Sequence, residues 1–130
     1  MKYKLYTREV RYIQIASPAA EVIISGIIHR LGKTAARVEV NRQIDEFNKK
    51  LFEFANGDDK LHFCSNKTYL QDKEGVFEHL YRQEDPEGVH LNEEGKKILA
   101  SSWLEEVKTV YSKHFYLATG ITNEARATPN

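Results

Sequence analysis

The residues with the clearest chemical potential lie between Glu84 and Gly95, where acids, a histidine and a helix start follow one another. Glu87, three residues before His90, can curl back across a turn and accept a hydrogen bond from the ring Nδ1–H. Such an arrangement leaves Nε2 free to take a proton from a nucleophile. Gly88 provides the backbone freedom that so tight an arc needs. The pattern predicts a general base, although acid-x-x-His is common by chance and a histidine that merely sits in an acidic turn has the same spacing.

Helical and strand patterns alternate along the chain. Hydrophobic periodicity and turn residues predict helices over 5–16, 34–55 and from an N-cap at Asn92 to about 113, and strands over 20–28 and 61–64. A left-handed cap at Gly57 is expected to end the second helix. The last helix is expected to pack through residues spaced four apart, namely Leu99, Trp103, Val107 and Tyr111. The polar stretch 65–89 reads as a long functional loop.

This order of elements predicts an α/β fold with a parallel sheet. In such sheets the sites form outside the carboxyl ends of the strands. The segment that leads to His90 follows the carboxyl end of the second predicted strand. Two strands give little surface for three helices to cover, and a parallel pair exposes two unpaired edges. We therefore expect an incomplete domain, part of a larger doubly wound sheet.

Composition excludes several classes of function. The 130 residues carry 19 Lys+Arg and 19 Asp+Glu, so there is no electrostatic footprint for nucleic acid or for an anionic membrane. Cys64 is the single cysteine, which rules out an internal disulfide and a cysteine-based zinc site, and the five histidines have no metal-ligand spacing. No metal or cofactor is expected. Without a run of about 20 apolar residues or a signal peptide, we expect a soluble protein of a reducing compartment, by default the cytoplasm.

The string Glu87-Gly88-Val89-His90-Leu91-Asn92, followed by Gly95, resembles the last sequence block of the SGNH/GDSL hydrolases. In that family an Asp-x-x-His pair precedes a Leu-Asn-x-x-Gly helix start. The passage 18–27 resembles the family's Pro-flanked entry into a strand, and 41–51 resembles the helix that follows it. The resemblance covers about 5–111. It implies a flavodoxin-like three-layer α/β/α domain and ester hydrolysis by a serine, a histidine base and an orienting aspartate.

By this resemblance His90 is the general base and Glu87 takes the orienting position, where the family has Asp; Asp85 is the alternative partner of the ring. The family's Gly-Asp-Ser and Gly-x-Asn-Asp blocks do not occur in the sequence. The resemblance thus implies that 1–117 is the C-terminal part of an esterase domain, followed by a flexible polar tail over 118–130. Intact relatives act on small esters. This chain is expected to be inactive alone and to have the missing N-terminal half of the domain as a partner.

Other candidates have weaker signals. Ser25 lies in a buried strand without a nucleophile elbow, and Ser65 has no recognisable partner, so both are expected to be structural. Arg30 follows the first strand and suits either a substrate acid or, more commonly, solvent. The competing function is a non-enzymatic interaction module that pairs through the exposed edge of the first strand.

Overall fold

A computed structural model describes residues 3–119 of the chain, with side chains described over 3–113. Its elements are α1 (Tyr3–Ala16), β1 (Val22–Ser25), α2 (Ala35–Asn56), β2 (Leu61–Cys64), α3 (Lys67–Leu70), β3 (Gln71–Asp72), β4 (Gly75–Val76), a 3₁₀ turn (Glu78–Leu80) and α4 (Glu93–Thr119). The predicted helices and strands are all present. β1 is shorter than the predicted 20–28, and α4 is longer than predicted.

The two parallel strands separate two layers of helix. β1 and β2 pair in register from Val22 opposite Leu61 onward. Side chains alternate across a strand, so Ile24 and Leu61 face one side, where they form a core with residues of α1 and α2: Val10, Phe47, Leu51 and Ala55. Ser25 and Cys64 face the other side and meet α4. This is a partial three-layer α/β/α arrangement, as predicted.

The stretch predicted as one long loop contains structure of its own. It holds α3, the β3–β4 hairpin and the 3₁₀ turn. These short elements enclose a second hydrophobic cluster, built on Leu70, Leu80, Tyr81 and Leu91. The prediction of a structureless loop over 65–89 was wrong because the apolar residues are spaced too irregularly to show a helical or strand period.

The predicted left-handed cap at Gly57 is also wrong. Gly57 has a φ of −81°, and its N–H bonds back to the carbonyl oxygen of Phe54 at 3.2 Å. The helix therefore ends by tightening its last turn, which requires no positive φ.

The packing of α4 differs from the prediction. Trp103, Val107 and Tyr111 are 44%, 49% and 70% exposed, whereas Ser102 and Val110 on the neighbouring face are buried. A helix with apolar residues on two adjacent faces can bury either, and the two strands of this chain cover only one of them. The result is an apolar helix face with no cover among the described residues.

The backbone of α4 is helical through Thr119, so the first two residues of the predicted tail belong to the helix. The rest of that tail, 120–130, lies outside the described residues. Within 3–119 no helix combines the length and the apolar character needed to cross a bilayer.

Candidate active site

The segment between the 3₁₀ turn and α4 forms a closed excursion that carries His90. Tyr81 and Leu91 form an antiparallel bridge, and the Arg82 N–H donates to the carbonyl oxygen of His90 at 3.0 Å. These bonds join the two ends of the segment at its base. His90 therefore lies on a segment whose two ends are hydrogen-bonded to each other.

The carboxylate of Asp85 organises this turn. Its oxygens accept hydrogen bonds from the backbone N–H groups of Glu87 at 3.0 Å, Val89 at 2.9 Å and His90 at 2.9 Å. The same carboxylate lies 2.9 Å from Nδ1 of the His90 ring. The Asp85 side chain is 9% exposed and the His90 ring is 64% exposed. A nearly buried acid therefore holds one nitrogen of a ring whose body faces solvent.

The same contacts explain the acidity of Asp85. Its pKa is held well below the ordinary value, first by the backbone N–H of His90 and then by the His90 ring and the N–H groups of Glu87 and Val89, against the opposing effect of burial. The acid is thus a carboxylate at neutral pH. A carboxylate at Nδ1 favours the tautomer with the proton on Nδ1, which leaves the lone pair on Nε2.

The structure brings His90 together with Asp85 and not with Glu87. The hydrogen-bonded acid of the ring is Asp85, while the Glu87 side chain is exposed and only its backbone is bonded within the turn. The physical reason is the turn itself. Once the Asp85 carboxylate takes the N–H of Glu87, Glu87 lies at the outer side of the arc and its side chain points away. Of the two acids considered from the sequence, the one that contacts the ring is thus Asp85, and the orienting role in catalysis stays a prediction.

Gly88 fastens the tip of the turn to the loop after β1. Its carbonyl oxygen accepts the Leu31 N–H at 2.9 Å, and it has a φ of +65°. A Cβ at this position would lie 2.4 Å from the carbonyl oxygen of Leu31. Glycine is needed twice here, for the left-handed backbone and for the close approach.

The start of α4 holds the other end of the His90 segment. The Asn92 side chain caps the helix by accepting the Gly95 N–H at 2.9 Å, and its amide donates to the carbonyl oxygen of His79 at 2.7 Å. Gly95 lets the first turn approach the 3₁₀ turn, since a Cβ there would lie 2.2 Å from the carbonyl oxygen of Leu80. The Leu-Asn-x-x-Gly string thus fixes the start of α4 against the 3₁₀ turn.

His90 has no hydroxyl to act upon among the described residues. Ser25 Oγ accepts bonds from Trp103 Nε1 at 2.8 Å and Asn66 Nδ2 at 2.9 Å, so it belongs to a buried polar network. Ser65 is exposed and bonds only to the backbone of α3. Neither hydroxyl is hydrogen-bonded to His90.

Two cavities lie near the carboxyl ends of the strands, and neither is lined by His90. One of about 210 Å³ contains His29, whose Nε2 lies 2.7 Å from Asp45. That ring is only 14% exposed, and Asp45 also meets Lys67, so the pair ties the loop after β1 to α2 and α3. An open groove of about 870 Å³ is lined by Arg30 and by the β3–β4 hairpin. Within the described part of the chain, no group of three metal-ligating side chains comes together.

Two residues of the site were missed by sequence reasoning. Arg37, in the first turn of α2, donates to the carbonyl oxygens of Glu87 and Pro86. Its partners are about fifty residues away along the chain, so no local pattern reveals it. Asn66 is buried in a left-handed conformation after β2 and joins Ser25 to α4. A weak signal was available, since asparagine tolerates the left-handed conformation better than most residues.

No protein-family model matches the chain, and no curated protein sequence matches it either. Solved structures do. One, from Streptococcus pneumonia and provisionally described as a platelet activating factor, aligns with a TM-score of 0.65 at 19% identity over 79% of this chain. The esterase domain of the zebrafish ZfL2-1 retrotransposon ORF1 protein aligns with a TM-score of 0.58 at 19% identity over 84% of this chain. The chain shares the α/β fold of these two structures.

The chain matches only part of each neighbour. The alignments span 49% of the pneumococcal chain and 61% of the zebrafish chain. Relative to these neighbours the chain has a partial α/β/α fold, in agreement with its two parallel strands.

Proposed function

We propose that this chain is the C-terminal part of an SGNH/GDSL-type esterase domain and supplies its general base. The observation that carries the proposal is the His90–Asp85 pair, in which a largely exposed ring is held through Nδ1 while Nε2 is not engaged by that carboxylate. The fold shared with the zebrafish esterase domain supports it, as does the attachment of the His90 turn to the loop that follows the carboxyl end of β1, where α/β enzymes place their chemistry.

The proposed chemistry follows from the orientation of the ring. In a completed site Nε2 takes the proton of a serine hydroxyl while the serine oxygen attacks the carbonyl carbon of a small ester. The imidazolium then gives that proton to the departing alcohol, and water releases the acyl group by the same route in reverse order. Asp85 holds the tautomer and stabilises the imidazolium. Serine and oxyanion donors come from the N-terminal half of the domain, which we propose as the partner.

The decisive experiment joins the chain to the polypeptide encoded directly upstream of Met1. We expect that segment to contain Gly-Asp-Ser and Gly-x-Asn-Asp blocks in frame and the joined protein to hydrolyse p-nitrophenyl acetate. His90→Ala should lower the rate by about 10⁴-fold or more and Asp85→Asn by about 10³–10⁴-fold, while Glu87→Gln should stay within a few fold. An upstream segment without those blocks, or activity that survives His90→Ala, contradicts the proposal.

The chain by itself provides a second check. We expect no hydrolysis of the aryl ester above that of free imidazole, because no hydroxyl of the described residues is hydrogen-bonded to the ring. If the purified chain were active at an enzyme-like rate and His90→Ala abolished that activity, the proposal that the nucleophile comes from elsewhere would be wrong.

A non-enzymatic interaction module is the second candidate, and the open edge of β1 favours it. The N–H groups of Val22 and Gly26 donate to β2, at Lys60 and Cys64. Because backbone groups alternate in direction along a strand, those of Ile23 and Ser25 point to the opposite edge. No strand of the described chain pairs with β1 there. This edge can accept another strand.

The exposed face of α4 lies next to this edge. Ser102 contacts Cys64 on β2, and Trp103 contacts Ser25 on β1, so the helix crosses from β2 to β1. The exposed apolar side chains of α4 include Trp103 itself and Leu104, Val107 and Tyr111. We call the open edge of β1 and this face of α4 the docking surface. We propose that a strand of the N-terminal half of the domain pairs with this edge and that apolar residues of the same half cover the helix face.

Trp103 is the chain's single tryptophan and reports on this surface. Adding the upstream polypeptide should shift its fluorescence to shorter wavelength, and Val107→Lys should prevent the shift. Val38→Lys, at a similarly exposed valine on α2, is the matched control and should have no effect. Binding with activity supports the esterase, and binding without activity supports the module. A shift that Val107→Lys leaves intact removes the docking surface from either account.

A further inference from the structure

One side chain of α2 reaches the turn that carries His90. Arg37 donates through Nη1 to the carbonyl oxygen of Glu87 and through Nη2 to that of Pro86 at 3.3 Å. The planar guanidinium thus spans two consecutive carbonyl groups between Asp85 and His90 with two separate nitrogens in a fixed geometry, which the single nitrogen of an ammonium group does not offer. Arg37 is half-buried as a residue, while both hydrogen bonds lie at the protein surface.

The turn needs donors from outside because its own N–H groups are used internally. The N–H groups of Glu87, Val89 and His90 point inward to the Asp85 carboxylate. The carbonyl groups of the same segment consequently point outward. That of Gly88 is satisfied by Leu31, and those of Glu87 and Pro86 by Arg37. Arg37 thereby completes the hydrogen bonding of a turn whose conformation places Asp85 against the ring.

Arg37 itself is held in place. Its N–H donates to the Thr34 hydroxyl at 3.2 Å, the N-cap of α2. Gly32 leaves room for its stem, because a Cβ there would lie 3.3 Å from the Cγ and Nε atoms of Arg37. Arg42, on the same helix, bonds only to Glu39 and Glu46 of that helix and does not touch the turn. Arg42 therefore serves as a control for Arg37, because it has the same charge and lies on the same helix.

We infer that Arg37 is a positioning residue for the His90–Asp85 pair: by gripping the carbonyl groups of Pro86 and Glu87, it sets the angle at which the Asp85 carboxylate meets Nδ1. The inference rests on the proposed function only for the chemical role of the pair. It makes the orientation of the base depend on α2, an element that contributes no reacting group.

The test uses ¹⁵N NMR of the full chain with Arg37→Met, Arg37→Lys and Arg42→Met. In Arg37→Met we expect the amide protons of Val89 and His90 to exchange about tenfold faster or more, and the neutral His90 ring to lose its Nδ1–H preference. Arg37→Lys, which keeps the charge but lacks the fixed geometry of the guanidinium, should lie between Arg37→Met and the parent chain. Arg42→Met should match the parent chain.

The outcome that overturns the inference is a His90 tautomer and amide exchange in Arg37→Met equal to those of Arg42→Met. If Arg37→Met fails to fold, judged by loss of amide protection in β1 and β2, Arg37→Lys decides by the same two readouts. Neither readout depends on ester hydrolysis. The proposed function can therefore fail while this inference stands, and the reverse also holds.

Discussion

Gly88→Ala tests how the His90 turn is attached to the body of the protein. At a φ of +65° an alanine costs about 1–2 kcal/mol relative to glycine. The added Cβ would also lie 2.4 Å from the carbonyl oxygen of Leu31 and 3.0 Å from its nitrogen, distances that backbone atoms cannot tolerate. The turn must move away and release the 2.9 Å bond from the Leu31 N–H, which is worth about 0.5–1.5 kcal/mol. The sum is about 1.5–3.5 kcal/mol.

The assay combines urea unfolding with hydrogen exchange of the Leu31 amide. We expect the free energy of unfolding to fall by this sum and the Leu31 amide to lose its protection. Gly75→Ala is the matched control. Gly75 also has a positive φ, of +130°, but a Cβ there meets nothing within 4 Å. It should carry the conformational cost without any change at Leu31.

Two results together would show that the approach of Gly88 to Leu31 does not attach the turn. The Leu31 amide would keep its protection in Gly88→Ala, and the loss of stability would be no greater than in Gly75→Ala. The turn would then be attached by other contacts, and the close approach at Gly88 would have no structural role.

Three further predictions concern the same region. Gly95→Ala should lower the free energy of unfolding by about 1–3 kcal/mol, because the added Cβ would lie 2.2 Å from the carbonyl oxygen of Leu80. Gly→Ala inside a helix normally stabilises, so a gain in the thermal midpoint would contradict this prediction. Burial raises the pKa of Tyr81 to about 12, so the unfolded chain loses this proton first and stability should fall by about 3 kcal/mol between pH 10 and 12, a slope that Tyr81→Phe should remove. The lowered pKa of Asp85, set first by the N–H of His90, means that its stabilisation is complete above about pH 4 and is lost as pH falls further; Asp85→Asn should flatten that acid limb in urea titrations.

The elements of this fold were predictable where one hydrophobic period dominates. Ile44, Phe47 and Leu51 lie on one face of α2 and are buried there, as their spacing indicates. The same reasoning failed for α4 because its apolar residues cover two adjacent faces. Which face is buried depends on how many strands lie beneath the helix, and a periodic pattern holds no information on that.

The sequence predicted which segment carries the candidate site, but only some of the residues that form it. Both Asp85 and Glu87 are close enough to His90 along the chain to reach its ring. The choice between them is made by a short aspartate side chain that bonds the N–H two residues on, at 3.0 Å, as aspartates before proline commonly do in turns. That signal was present in the sequence. The grip of Arg37 was not, because it arises only when α2 folds against the turn.

Whether Asp85 holds His90 as a base is tested most directly by the tautomer of the neutral His90 ring, read from its ¹⁵N shifts in the parent chain, Asp85→Asn and Glu87→Gln. We expect the proton on Nδ1 in the parent chain and in Glu87→Gln, with Nε2 unprotonated and available as a base. Asp85→Asn should abolish this preference. A parent ring that carries its proton on Nε2, or a preference that Glu87→Gln removes and Asp85→Asn leaves intact, would contradict the account.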